Sequence, residues 1–230
     1  MSRIAADTSE RIASPFDCRT LRPAPKGLVL YGSCRKGAFS RKLALEASHM
    51  LREAGCDTRM FDPQDLPLAG NEAKDNDRIA VLHADVAWAD GFVWCSPEHH
   101  GAMSGVMKLV LDCFPCFNDR PTEVEGKAVA FLQVAGGRIC GGAIGDMQRV
   151  ASSMGLLAAP RSLVVAQAAL QFDRSGSLNE LSLQIRLADI MRQLVKLSEF
   201  ARDAAARSPQ FAGRDMEHTQ PALIRAAASK

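Results

Sequence analysis

At 230 residues, with 47% hydrophobic and 23% charged side chains, the chain has globular composition and enough apolar mass for one substantial core. A net charge of +2 gives no support to nucleic-acid binding, and no apolar run approaches the roughly 20 residues of a membrane span. Residues 1–22 lack an apolar h-region, so they do not read as a signal peptide, and a cytoplasmic protein is expected.

Seven cysteines (18, 34, 56, 95, 113, 116 and 140) are an odd number scattered over predicted strands, helices and loops, the pattern of free thiols in a reducing compartment. Cys113-Phe114-Pro115-Cys116 has C-x-x-C form but falls at a predicted helix end, where the dipole has the wrong sign for activating a thiol. Structural thiols are therefore favoured there over a redox motif. A thiol-based metalloid site on Cys113 and Cys116 is kept as a separate reading.

Residues 1–25 mix Ser, Arg, Pro and Asp without a period and read as a flexible arm. An apolar strand over 27–31 then breaks into a turn, Gly32-Ser33-Cys34-Arg35-Lys36-Gly37. Leu43, Ala44, Ala47, Met50 and Leu51 follow at helical spacing, and Gly55 stops that helix. A strand feeding a helix through such a turn gathers free backbone N–H groups and a helix N-terminus at one point, which favours an anion. Ser33 and Ser40 add hydroxyls, and Arg35 adds a fork matched to phosphate oxygens. An ordinary solvated connection has the same composition, so this stretch alone leaves both readings open. It lacks the Gly-Lys-Ser/Thr of a P-loop and the spaced glycines of a dinucleotide fingerprint, so the ligand it suits is a single phosphate.

Further on, a second strand is expected over 58–61, a polar loop to residue 77, and a helix over 78–89 capped by Asp77. A third strand, 90–95, ends at Ser96-Pro97-Glu98-His99-His100-Gly101, and a third helix starts near Ser104. A fourth strand, 127–134, runs into Ala135-Gly136-Gly137-Arg138, with a helix over 143–154. A fifth strand at 162–166 precedes a final helix over 181–202, and the tail from 204 reads as frayed. Five alternations of strand and helix with continuously apolar strands describe an α/β fold. It is one doubly wound domain, residues 26–203, with a parallel sheet covered by helices on both faces.

In such sheets ligands sit beyond the carboxyl ends of the strands. Three of these ends are rich in Gly, Ser, His or Arg: 33–40, 96–101 and 135–142. Their convergence favours the phosphate reading, with the second and third loops flanking a planar ring and Gly101, Gly136 and Gly137 admitting close backbone approach. His99-His100 has no neighbours at metal-ligand spacing, so no metal site is expected. No G-x-S-x-G elbow is present either.

These loops resemble a known family. Tyr31-Gly32-Ser33-x-Arg35 with Ser40 is similar to the phosphate loop of NADPH-dependent FMN reductases. Phe61-Asp62-Pro63 with Leu66-Pro67-Leu68, the run from Val93 to Lys108, the Gln133–Gly137 turn and Phe172-Asp173 resemble the ArsH-type arsenical-resistance flavoproteins within it. The resemblance implies a flavodoxin-like fold with strand order 2-1-3-4-5, FMN and NADPH as cofactors, and a dimer or tetramer. It implies hydride transfer from NADPH to FMN and on to a small-molecule acceptor (quinone, oxygen or organoarsenical) by a ping-pong mechanism. A non-catalytic electron carrier or interaction module is the alternative. Ser33, Arg35, Phe39 and Ser40 would hold the phosphate end. Ser96, Pro97, Glu98, His99, His100 and Gly101 would lie along the flavin, with Gly136 and Gly137 at the ring edge and Arg138 supplying the cofactor-binding charge that His99 lacks. No side-chain acid or base is implied. Ala38 stands where the family usually has Ser, which predicts one phosphate hydrogen bond fewer, a loss on the order of 1.5–3 kcal/mol. His99 stands where Arg is common.

Overall fold

Strand β1 (Lys26–Tyr31) lies inside the sheet because its residues are apolar on both faces, and five of its six are buried. It pairs in parallel with β2 (Asp57–Phe61) on one side and β3 (Gly91–His99) on the other. The computed structural model describes residues 23–67, 76–115, 123–138 and 140–207. Beyond His99 the chain doubles back as β4 (Ala102–Met103), antiparallel to β3. Strand β5 (Ala128–Val134), buried throughout, continues the parallel sheet beyond β3. The outer position is shared by β6 (Leu157–Ala158) against the start of β5 and β7 (Leu163–Val165) against its end. The expected strand order therefore holds, with the fifth position split into two short strands and a short hairpin strand added.

Side-chain alternation along these strands divides the core in two. Val29, Tyr31, Val93, Cys95, Ala130 and Leu132 face helices α1 (Phe39–Glu53) and α6 (Leu181–Arg207). Leu28, Leu30, Phe92, Trp94, Val129 and Phe131 face α2 (Asp77–Trp88), α3 (Gly105–Asp112) and α4 (Gly142–Ser153). A short helix, α5 (Ala168–Gln171), lies between β7 and α6. On the second face Trp94 meets Phe114 and Phe131 edge-on, with ring centroids 6.1 and 5.8 Å apart. Each such fully buried large side chain contributes about 1.5–3 kcal/mol by transfer from water.

Several local expectations change. Asn76, not Asp77, caps α2, its side chain accepting from Arg78 N at 2.8 Å. The third strand does not stop at Cys95. It runs to His99 because the return of β4 through His100 and Gly101, at φ 53° and 78°, makes a two-residue hairpin with both central residues left-handed. Phe114, just past the end of α3, is 2% exposed and packs inside its own core. Helix α6 continues to Arg207, past the expected boundary. Most of the expected N-terminal arm lies outside the described residues. Its last part is tethered, since Arg202 donates to the Pro23 and Ala24 carbonyls and to Asp90.

Candidate active site

The chain leaves β1 toward one edge and returns to form β3 on the other side of it, so the sheet's switch point lies between these two strands. Beyond their carboxyl ends opens a cleft of about 370 Å³. It is lined by the 33–40 loop, by Pro97, Glu98 and His99, and by Val134, Ala135 and Gly136, with Ala168 closing one side.

The 33–40 wall is cut to admit a group it does not itself supply. Gly32 N donates to Cys95 O at 2.9 Å, which anchors the turn on β3. A Cβ at Gly32 would fall 2.5 Å from Ser104 Oγ and 2.8 Å from Met107 Cβ, so only glycine lets the loop settle there. Ala38 is the N-cap of α1, and no side chain caps that helix, nor does an acidic residue occupy its first turn. The first N–H groups of α1 thus keep their donor capacity and the positive end of the dipole. Ser40 is 1% exposed, and its hydroxyl has no hydrogen-bond partner among the described residues. A buried hydroxyl without a partner costs about 1–3 kcal/mol, and an oxygen-rich anion in the cleft relieves it. The Arg35 side chain is exposed at the rim, while its backbone N donates to Ser33 Oγ at 3.3 Å. Phe39 stacks on Phe172, with centroids 5.5 Å apart and Lys42 Nζ above both rings.

The facing wall is built the opposite way. Ser96 is fully buried and outside the cleft: its Oγ donates to Pro97 O and accepts from Ser104 N at 3.0 Å. Ser104 Oγ in turn donates to Gly32 O at 2.7 Å and caps α3 by accepting from Met107 N. Glu98 Oε2 accepts from Gly141 N at 2.7 Å, Gly142 N at 3.2 Å and Gln133 Nε2. His100 and Gly101 form the exposed hairpin tip away from the cleft lining, and Gly137 and Arg138 are exposed beyond it. Gly137 O accepts from Gln167 N at 3.0 Å, while Ala168 N donates to Ala135 O at 2.9 Å, so the turn after β7 is stitched to the turn after β5.

Of the residues expected in the site, Ser33, Arg35, Phe39, Ser40, Pro97, Glu98, His99 and Gly136 line the cleft together. Ser96, His100, Gly101, Gly137 and Arg138 do not. Ala168 was not legible in the sequence, because nothing in its chemistry marks it and only the sheet order brings it to the cleft beside Val134 and Ala135 of the expected turn. The described thiols do not form a reactive site. Burial pushes Cys34, Cys140 and Cys113 above their ordinary pKa, with acidic neighbours adding to each. A protonated, buried Cys113 is poorly suited to bind a metalloid, and Cys116 lies outside the described residues.

Comparison with known proteins agrees with this geometry. The ArsH NADPH-dependent FMN reductase of Acidithiobacillus ferrooxidans is 35% identical over 208 residues, covering 88% of each chain. That of Rhizobium meliloti is 36% identical, covering 83% of this chain and 81% of the relative. Among solved structures, the flavoenzyme NAD(P)H:acceptor oxidoreductase FerB of Paracoccus denitrificans superposes with a TM-score of 0.66 at 19% identity. It covers 77% of this chain and 99% of its own, a likeness of fold. The profile of the family described as NADPH-dependent FMN reductase matches residues 25–170, and the chain belongs to that family.

Proposed function

We propose that this oxidoreductase passes hydride equivalents from NADPH, through FMN, to a small diffusible acceptor of the quinone or organoarsenical class, or to oxygen. The observation that carries the reading is the unspent donor set of the 33–40 wall: an uncapped α1, the unpartnered Ser40 hydroxyl and the exposed Arg35 guanidinium on one cleft. These groups fit a phosphate monoester, so Ser33, Arg35, Ser40 and the first N–H groups of α1 hold the FMN phosphate. Pro97 and His99 line one side of the ring region, and Ala135 and Gly136 bring backbone to the other. FMN held there would supply the hydride-accepting and electron-donating chemistry of a ping-pong exchange between NADPH and the acceptor. The protein's part is to orient the flavin, to shield it and to leave one face open.

Ala38 acquires a different meaning here. A Ser at this N-cap would spend its hydroxyl on the helix, whereas Ala leaves those N–H groups to the ligand. The exposed apolar side chains Leu170, Leu181 and Phe200, each about two-thirds exposed, support a homo-oligomer. Free cysteines fit a reducing cytoplasm.

The test is direct. Purified protein should be yellow or turn yellow on adding FMN. It should oxidise NADPH faster when a quinone or a trivalent organoarsenical is present, with parallel double-reciprocal lines. Failure to bind FMN sinks the reading, and intersecting lines sink the ping-pong sequence.

A further inference from the structure

A polar cluster joins Glu98, on the cleft lining, to buried Gln133 and the start of α4. Gln133, fully buried near the carboxyl end of β5, donates from Nε2 to Glu98 Oε2 and accepts at Oε1 from Ile144 N at 3.0 Å. The same Glu98 oxygen takes the N–H groups of Gly141 and Gly142, where α4 begins. Helix α4 has no cap of its own: Gly141 is its N-cap, and its first turn carries no acidic residue. Its counter-charge arrives instead from 43 residues earlier in the chain, on the cleft wall. The link is reciprocated, since Asp146 of α4 accepts Met103 N from β4 at 2.9 Å. Between them Gly142 packs on the hairpin so closely that a Cβ there would fall 1.7 Å from Gly101 O.

One carboxylate oxygen thus ties down Gln133, which precedes the Ala135–Gly136 turn, and Gly141, which follows it. A helix end needs only a local Ser or Asp to be capped. Routing the cap through Glu98 instead fixes the width of the cleft between β3 and the turn after β5. We propose that Glu98, acting with Gln133, is a positioning residue that sets the spacing of the two walls around the flavin ring and does not itself bond the ring. This rests on the flavin reading above.

The experiment compares FMN and riboflavin, which differ only in the phosphate. Dissociation constants are measured by flavin fluorescence for wild-type, Glu98→Ala and Glu98→Gln, with the visible spectrum of bound FMN and the NADPH kinetics recorded alongside. Losing the clamp should weaken FMN and riboflavin by the same factor, roughly tenfold for Glu98→Ala, because the phosphate wall is untouched. Glu98→Gln keeps the acceptor oxygen and shape and should recover to within about threefold of wild-type. The bound-flavin spectrum should shift in Glu98→Ala and kcat should fall more than KM rises. Wild-type affinity and spectrum in Glu98→Ala overturn the proposal, as does a loss confined to FMN. Should Glu98→Ala fail to fold, Gln133→Leu, which removes the partner amide and keeps its volume, decides in its place: an equal weakening of both flavins supports the clamp, and unchanged binding of both overturns it. A wild-type protein that takes up neither flavin overturns the flavin reading itself.

Discussion

The two walls of the cleft carry similar residues and use them in opposite ways. On the 33–40 wall these polar groups are unspent among the described residues: α1 is uncapped, the Ser40 hydroxyl is buried without a partner, and the Arg35 side chain is exposed at the rim. On the facing wall they are consumed within the protein. Ser96 and Ser104 hold the β3–α3 connection, while Glu98 and Gln133 hold the start of α4. Polar residues at a strand end therefore divide into those that wait for a ligand and those that shape the space for one. Residue type does not separate the two kinds, but hydrogen-bond satisfaction does.

The contrast can be broken from either side. The largest effect is expected at Gly142→Ala. The added methyl meets a backbone carbonyl that cannot move away, and urea denaturation should report a loss of about 3 kcal/mol or more. A change under half that size would mean that the ring-side wall is less rigid than its hydrogen bonds imply. Arg35→Ala acts on the other wall alone. FMN affinity should fall about 10- to 100-fold by fluorescence titration while riboflavin affinity and the melting temperature stay put. Equal losses for both flavins would remove Arg35 from the phosphate site.

Next in size is a pH effect at the base of the phosphate wall. Burial, with Asp62 adding to it, raises Tyr31 from 10.0 to about 12. The folded state therefore holds this proton more tightly than the unfolded chain does. The stabilisation is complete below pH 10 and lost as pH rises toward 12, on the order of 2 kcal/mol. Cys56, raised by burial to about 11, adds a loss of the same sign that begins near pH 9. Stability measured across this range should fall less steeply in Tyr31→Phe. An equal slope would mean that Tyr31 is not the group responsible.

The smallest effect is the most discriminating. Ser40→Ala removes a hydroxyl that costs stability in the apoprotein. The apoprotein should gain about 0.5–1 kcal/mol, while FMN binds roughly fivefold more weakly. Apoprotein destabilisation on this substitution would mean that Ser40 has a partner within the fold.

Much of the architecture was legible because apolar runs bounded by Gly, Pro and Asp leave few alternatives. Leu28–Leu30, Phe92–Cys95 and Ala128–Val134 could only be strands buried on both faces, and helical spacing between them required parallel crossovers. Gly32, Ser33, Arg35 and Ser40 were readable as an anion loop because that chemistry is local: one turn and one helix end supply it. The facing wall was not readable in the same way. Glu98 beside His99 and His100 looks like a ligand contact, yet its partners Gln133, Gly141 and Gly142 lie 35 to 44 residues away and meet it only once β3 and β5 are in register. Ala168 reaches the cleft by the same route, through the pairing of β7 with β5. The chain's own order of residues settled which segments become strands and helices and which turn carries anion-loop chemistry, because those depend on contacts within a few residues. Which polar groups remain free to bind depended on long-range pairing, because a hydrogen bond is spent only when the fold brings its partner to it.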